Sequence, residues 1–229
     1  MEEIDAIAAL QDPVRRRLYE YVAAQGREVG RNEAAEAAGV ARTLAAHHLD
    51  RLAEAGLLET GSRRLSGRSG PGAGRPAKVY TRARAEVSVS LPARDYRTAA
   101  ELLAEAAEQA GLDAGLWAAA RRRGEALRGP AAPCGGLEEA MEALAARGYE
   151  PHLEGAEEAT GAPGAPARVV RMRNCPFHAV AARFPPLVCG MNLALLEGLF
   201  GTEGPVRARM DPRPGECCVV VESSKNNDD

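Results

Sequence analysis

The sequence is poor in aromatic residues, which make up 4% of its 229 positions, and in lysine, which supplies 2 of its 29 basic side chains. With so few large rings, a core must be built from Leu, Val and Ala. The 45% hydrophobic content is enough for one large or two ordinary domains. The Ala and Arg enrichment that accompanies the shortage of lysine reads as base composition of the coding DNA and carries little functional weight. No uninterrupted apolar run approaches the roughly 18 residues of a membrane-spanning helix, so a membrane span is excluded. The opening segment MEEIDAIAALQD lacks the basic and apolar regions of a secretory signal. A cytoplasmic protein is expected, and in that reducing compartment five cysteines argue against a disulfide scaffold. Paired C-x2-C knuckles are also missing, which weakens a structural zinc site.

What is present is unevenly placed. The formal net charge is -3, yet Gly61 to Arg84 holds Arg63, Arg64, Arg68, Arg75, Lys78, Arg82 and Arg84 and no acid. Like charges at this density repel one another and need solvent or an anionic partner. Glycines at 61, 67, 70, 72 and 74 alone would suit a solvated loop. The preceding segment favours a partner. Ile4, Ile7, Ala8 and Leu10 suggest a short first helix, and Asp12 as N-cap with Pro13 behind it opens a second that stops at Gly26. Asn32 is a good N-cap for a short helix through Glu33 to Ala38. Gly39 and Val40 turn the chain into a helix from Ala41 to Ala55, which ends at Gly56 before Leu57 and Leu58. The pattern is helix, tight turn, helix, then a strand entering the basic segment.

On a helical wheel Leu44, Ala45, His48, Leu49, Leu52 and Ala55 share the inward face, which makes His48 a packed core residue. Thr43, Ala46, His47, Asp50 and Glu54 face outward, with Arg42 and Arg51 at the borders. A DNA major groove admits such a helix and is read mainly by its N-terminal half. Arg42, Thr43 and His47 are therefore candidate base readers and Arg51 a phosphate contact. The stretch AAHHLDRLAEAGLLE resembles the recognition helix of ArsR-type winged-helix regulators, and GRPAKVY at Gly74 to Tyr80 is similar to the second wing strand of a subset of them. The resemblance implies wing strands at Leu57 to Glu59 and Lys78 to Thr81. It also implies that Arg63, Arg64, Arg75 and Lys78 lie on backbone phosphates or in the minor groove. A plain helical hairpin explains the helices but not the basic segment, and a scaffold whose arginines bind a partner protein is the competing use of that charge.

Beyond the wing, EVSVSL at Glu86 to Leu91 reads as a short strand or extended link. Tyr96 to Gly111 and Asp113 to Leu127 read as two helices suited to pairing across a twofold axis. Gly129 to Gly136 reads as a linker in which Cys134 is incidental. A helix at Leu137 to Arg147 follows, then strands at Tyr149 to Leu153 and Ala167 to Arg173 around a Gly- and Pro-rich loop. Two helices broken at Pro185 and Pro186 come next, and strands at Val206 to Met210 and CCVVVE finish the pattern. The expected fold class is α+β: an N-terminal winged helix-turn-helix at 1–92, a helical connector at 93–128, a small C-terminal α+β sensor domain at 129–222 and a disordered tail at 223–229.

The remaining cysteines, Cys175, Cys189, Cys217 and Cys218, are spaced C-x13-C-x27-C-C. Thiolates at the ends of separate elements can hold an iron-sulfur cluster. Burial as small apolar side chains explains them equally well on spacing alone. Adjacent residues in a strand point to opposite faces, so one of Cys217 and Cys218 is expected to be spare. Asn174 to His178 (NCPFH), Val188 to Asn192 (VCGMN) and a cysteine in the last strand are similar to the C-terminal domain of SufR-type regulators, ArsR-related repressors of iron-sulfur assembly operons. The resemblance implies a homodimeric repressor that binds double-stranded DNA at an inverted repeat and senses redox or iron-sulfur status through a cluster of the 4Fe-4S type. It departs from the cyanobacterial pattern near Glu203, where a further cysteine is missing. The fourth ligand falls to His178, Glu203, an exogenous small molecule or an open iron. Asn192 either bonds cluster sulfur or caps a loop. A thiol redox switch or metal-ion sensor without a cluster is the alternative. A Cys–His hydrolase lacks an orienting third group and an oxyanion site, so no enzyme is expected.

Overall fold

The computed structural model describes residues 2–63, 76–130, 132–154 and 168–224. Arg64, Arg68 and Arg75, the Gly- and Pro-rich loop and the end of the tail lie outside the described residues. The chain divides into two compact units, 1–94 and 95–229.

The first unit runs α1 (Glu2–Ala9), α2 (Pro13–Gln25), β1 (Val29–Gly30), α3 (Arg31–Ala38), α4 (Arg42–Glu54), β2 (Leu58–Arg63) and β3 (Ala77–Arg82). Asp12 caps α2, its carboxylate accepting from the N–H groups of Val14 and Arg15 at 2.9 Å, and Gly26 closes the helix at φ 62. The next helix starts at Arg31 with Gly30 as its cap, ahead of Asn32, because Val29 and Gly30 first pair with Tyr80 and Val79 of β3. A strand of two residues leaves no periodic signal in the sequence. The sheet is antiparallel, ordered β1-β3-β2, with Leu58 opposite Arg82 and Arg63 opposite Ala77. Leu18, Val22, Val29, Leu49, Leu52 and Tyr80 fill the core. Ala45 and His48 join them, whereas Leu44 is exposed, so the inward stripe of α4 is narrower than the wheel suggests.

The second unit runs α5 (Tyr96–Gln109), α6 (Asp113–Arg128), α7 (Leu137–Ala145), β4 (Pro151–Glu154), β5 (Val169–Met172), α8 (His178–Ala181), α9 (Pro185–Phe200), β6 (Val206–Met210) and β7 (Val219–Ser223). Its sheet is antiparallel in the order β4-β5-β7-β6. Val170, Met172, Val219 and Val221 pack with Leu144 of α7 and Leu196, Leu199 and Phe200 of α9. Pro185 and Pro186 open α9, where the missing amide hydrogens cost nothing, and the helix is apolar on nearly all sides, as a helix buried on several sides must be.

Glu86 to Leu91 forms no strand, which leaves the extended link of its two readings. Two expectations change here. Residues 93–128 are not a separate connector, because α6 lies directly along α9 within the second unit. Gly124 and Gly198 make that approach possible: a Cβ on Gly124 would overlap the Leu195 carbonyl oxygen, and one on Gly198 the Arg121 carbonyl oxygen. The Trp117 ring covers Gly190 in the same way, and its Nε1 donates to the Leu187 carbonyl at 3.1 Å. Finally, Cys134 is not in a free linker. It is buried, its N–H donates to the Phe200 carbonyl at 2.9 Å, and it belongs to the core of the unit. Replacing Gly198 with Ala forces two helix backbones apart and should destabilise the protein by about 1–3 kcal/mol, read as a lowered Tm for the variant.

Candidate nucleic-acid interface and cysteine cluster

Helix α4 presents Arg42, Thr43, His47 and Arg51 to solvent on one side and Ala45, His48, Leu49 and Leu52 to the core on the other. His48 is held by the Nε–H of Arg15, which donates to its Nδ1 at 3.4 Å, and burial pushes its pKa down. Arg51 pairs with Glu54 at 2.7 Å, and Arg63 at the end of β2 lies 3.6 Å from Glu28. These exposed pairs are worth little and can be exchanged for phosphate.

Lys78 stands differently. Its Nζ donates to Asp50 at 2.7 Å, the Tyr80 hydroxyl donates to the same oxygen at 2.7 Å, and Arg31 reaches the Asp50 carboxylate at 3.1 Å. Burial raises the Asp50 pKa, and the bonds from Lys78 and Tyr80 more than reverse that, leaving it below its ordinary value. Burial and the same carboxylate push the Tyr80 phenol up to about 12. Asp50, expected to face outward where α4 leaves the groove, thus ties α4 to β3 and to the start of α3. Beside this cluster a cavity of about 890 Å³ is lined by Arg27, Arg31, Arg42, Arg63 and Lys78 against Glu28 and Glu33. Arg27 and Arg31 were not legible as site residues, since they lie before the basic segment and are brought to it by the pairing of β1 with β3.

A family model described as a helix-turn-helix domain matches residues 10–61, the span from the end of α1 into β2. The N-terminal unit carries a helix-turn-helix domain. No curated protein and no solved structure matches the chain. A helix-turn-helix domain points to DNA binding and to the regulation of transcription. No helix among the described residues is long and apolar enough to cross a membrane.

In the second unit four of the five cysteines fall into two pairs. Cys189 of α9 and Cys218 form a disulfide, and the Cys175 thiol donates to the Cys217 sulfur. Both Cys217 and Cys218 precede β7 and are not part of it, and each has a different partner. The two pairs are joined in the chain by the 217–218 peptide. Cys217 is buried and accepts from Asn192 Nδ2 at 3.3 Å, with the backbone N–H groups of Val219 and Cys218 also favouring its charged form. The Cys175 thiol and these donors lower the Cys217 pKa against the effect of burial. The hydrogen bond to Cys217, followed by burial, raises that of Cys175. His178 and Glu203 are both exposed, and among the described residues no three His, Cys, Asp or Glu side chains are grouped to hold a metal ion.

The turn that delivers Cys217 and Cys218 is anchored from the sheet face opposite the core. Arg171 of β5 is buried there, donating to Glu154 at 2.6 Å and to Asp211 at 2.5 Å and lying 3.6 Å from Glu216. Hydrogen bonds from Arg213 and Arg171 hold the Glu154 carboxyl down at about 2. A depressed carboxyl stabilises the fold above its ordinary value of 4.5, and that contribution is lost as pH falls from there towards 2. Glu154→Gln should therefore lower stability at neutral pH and flatten its decline across that window, as measured by urea unfolding at a series of pH values.

Proposed function

We propose that the chain is a cytoplasmic, dimeric winged-helix transcription regulator, acting as a repressor, whose affinity for an inverted-repeat DNA site is set by the state of Cys175, Cys189, Cys217 and Cys218. An iron-sulfur cluster, of the 4Fe-4S type, is the group these cysteines would hold. The observation that carries the reading is a chain with a helix-turn-helix in one unit and, in the other, a disulfide between Cys189 and Cys218 whose neighbour Cys217 interacts with Cys175.

The residue types suit a cluster in their chemistry, as soft sulfur ligands with an N–H donor from Asn192 beside one of them, although among the described residues no three are grouped to hold a metal ion. They do not suit one while Cys189 and Cys218 are bonded to each other, so that disulfide must be reduced before those sulfurs can serve. When bound, the group would supply a redox centre that oxidants destroy. The protein's part is to tie three elements at one point: the segment before α8, helix α9 and the turn before β7. α9 in turn carries α6 through the Gly124–Gly198 contact and α5 through Ala104 and Ala107. α5 exposes Tyr96, Ala99, Leu103, Ala106 and Ala110, a heptad seam fitted to the same helix of a second copy. Releasing the tie alters this pairing and the presentation of two half-sites. A few kcal/mol of coupling is enough to change occupancy. On the DNA side Arg42, Thr43 and His47 read bases from the N-terminal half of α4. Arg51 and the wing, with Arg63, Arg64 and Arg75, contact the backbone. Lys78 holds the wing to α4 through Asp50.

The disulfide favours a second reading, a thiol switch without a cluster, in which Cys189–Cys218 is the oxidised signal. Anaerobic purification with iron and sulfide counts separates the two. The cluster reading expects bound iron and sulfide in the wild type and their loss in Cys175→Ser, with a matching change in operator affinity. A thiol switch expects neither metal nor sulfide, and DNA affinity that follows reductant alone. For the interface, Arg42→Ala should weaken sequence-specific binding by about 1–3 kcal/mol, whereas Arg63→Ala should weaken all sequences and reduce the salt slope by about one, both measured by titration against operator and random duplexes.

A further inference from the structure

Asn192 is 1% exposed in a helix that is otherwise apolar around it, and a buried amide without partners would cost about 1–3 kcal/mol for each group left unbonded. Both ends are used. The Tyr149 hydroxyl, 2% exposed, lies 2.5 Å from Asn192 Oδ1, and Asn192 Nδ2 lies 3.3 Å from the Cys217 sulfur. The three groups come from the segment ahead of β4, from α9 and from the turn ahead of β7, and they form one chain of hydrogen bonds.

The direction of that chain matters. A side-chain amide can turn either its oxygen or its nitrogen to a neighbour, and its surroundings decide which. The Cys217 sulfur meets the nitrogen of Asn192 at 3.3 Å and so is the acceptor in that contact. The oxygen of the same amide must then accept, and the Tyr149 hydroxyl is the donor in place to meet it. Without that hydroxyl the Asn192 oxygen loses its donor, and only the contact with Cys217 is left to hold the amide in this orientation.

We propose that Tyr149 is a positioning residue for the cysteine cluster, holding Asn192 with its NH2 group towards Cys217 and so favouring the reduced, hydrogen-bond-accepting form of that sulfur over its disulfide. The proposal rests on the reading of the cysteines as sensing groups, and extends it by naming what sets the poise of one of them. A thiol or thiolate sulfur is a better acceptor than a disulfide sulfur, so a directed N–H donor stabilises the reduced state and makes the pair harder to oxidise. Tyr149 touches no sulfur through its hydroxyl; it acts through Asn192.

The test uses full-length, metal-free protein equilibrated anaerobically in glutathione buffers. There the Cys175 and Cys217 thiols and one glutathione disulfide exchange to give one protein disulfide and two glutathione thiols. Thiol content is read for each cysteine peptide by mass spectrometry after acid quenching. Tyr149→Phe, which keeps the ring, should shift the Cys175–Cys217 equilibrium about threefold towards the disulfide, and Asn192→Leu about tenfold, as expected for a net hydrogen bond of about 1.4 kcal/mol. The double variant should match Asn192→Leu alone, because one residue acts through the other. If Asn192→Leu does not fold, Asn192→Asp keeps the shape, turns an oxygen to the sulfur and should shift the equilibrium the same way. Cys134, buried in the same core, is the control, and its alkylation in the native protein should not change. An unchanged equilibrium in Tyr149→Phe, additive effects in the double variant, or a shift accompanied by faster Cys134 labelling would each overturn the proposal. Operator binding of the wild type is measured separately: indifference to iron and to reductant would remove the sensing function while leaving the thiol equilibrium to decide the role of Tyr149.

Discussion

Burial of α9 on nearly every side is the constraint on which the second unit depends. The helix meets the sheet through Leu196, Leu199 and Phe200, α6 through the glycine contact at Gly198, and α5 and α8 through Leu187 and Val188. Because side chains pack in the unit at close to crystal density, α9 cannot shift without moving its neighbours. The cysteine and the asparagine it carries are therefore fixed against the rest of the unit, and a change in bonding at Cys189 has rigid elements on which to act.

The first unit solves a different problem, that of holding a helix and a hairpin in a constant relation with few aromatic residues. A single carboxylate does much of this. Asp50 gathers Lys78, Tyr80 and Arg31 from the neighbouring strand and helix, and the opposite side of α4 rests on Leu18 and Val22. The basic groups nearest this junction are in part neutralised within the fold, leaving the exposed arginines at the start of α4 and along the hairpin to meet an outside anion.

Much of this was legible in the sequence where a local rule acts alone. Asp12 with Pro13, Gly26, Gly39 and the Pro185–Pro186 break all mark helix ends through their own backbone preferences, and the structure puts the ends there. What escaped depends on partners distant in the chain. Leu44 counts as apolar on a wheel but finds no neighbour to cover it. Gly124, Gly190 and Gly198 look like ordinary helix interruptions until a second helix or ring is set against them. Tyr149 reads as a strand residue, and its bond to Asn192 joins positions 43 residues apart. The pairing of Cys217 with Cys175 and of Cys218 with Cys189 follows from a turn placed by Arg171, and strand alternation could not supply it.

The position of Trp117 has a practical side. It is the single tryptophan of the chain, and its indole covers the α9 backbone at Gly190, the residue directly after Cys189. Under excitation selective for indole the emission of the whole protein therefore originates at one spot, against the residue that follows the disulfide-bonded Cys189. The molecule carries its own optical label where a change of chemistry at the cysteines has the shortest distance to travel.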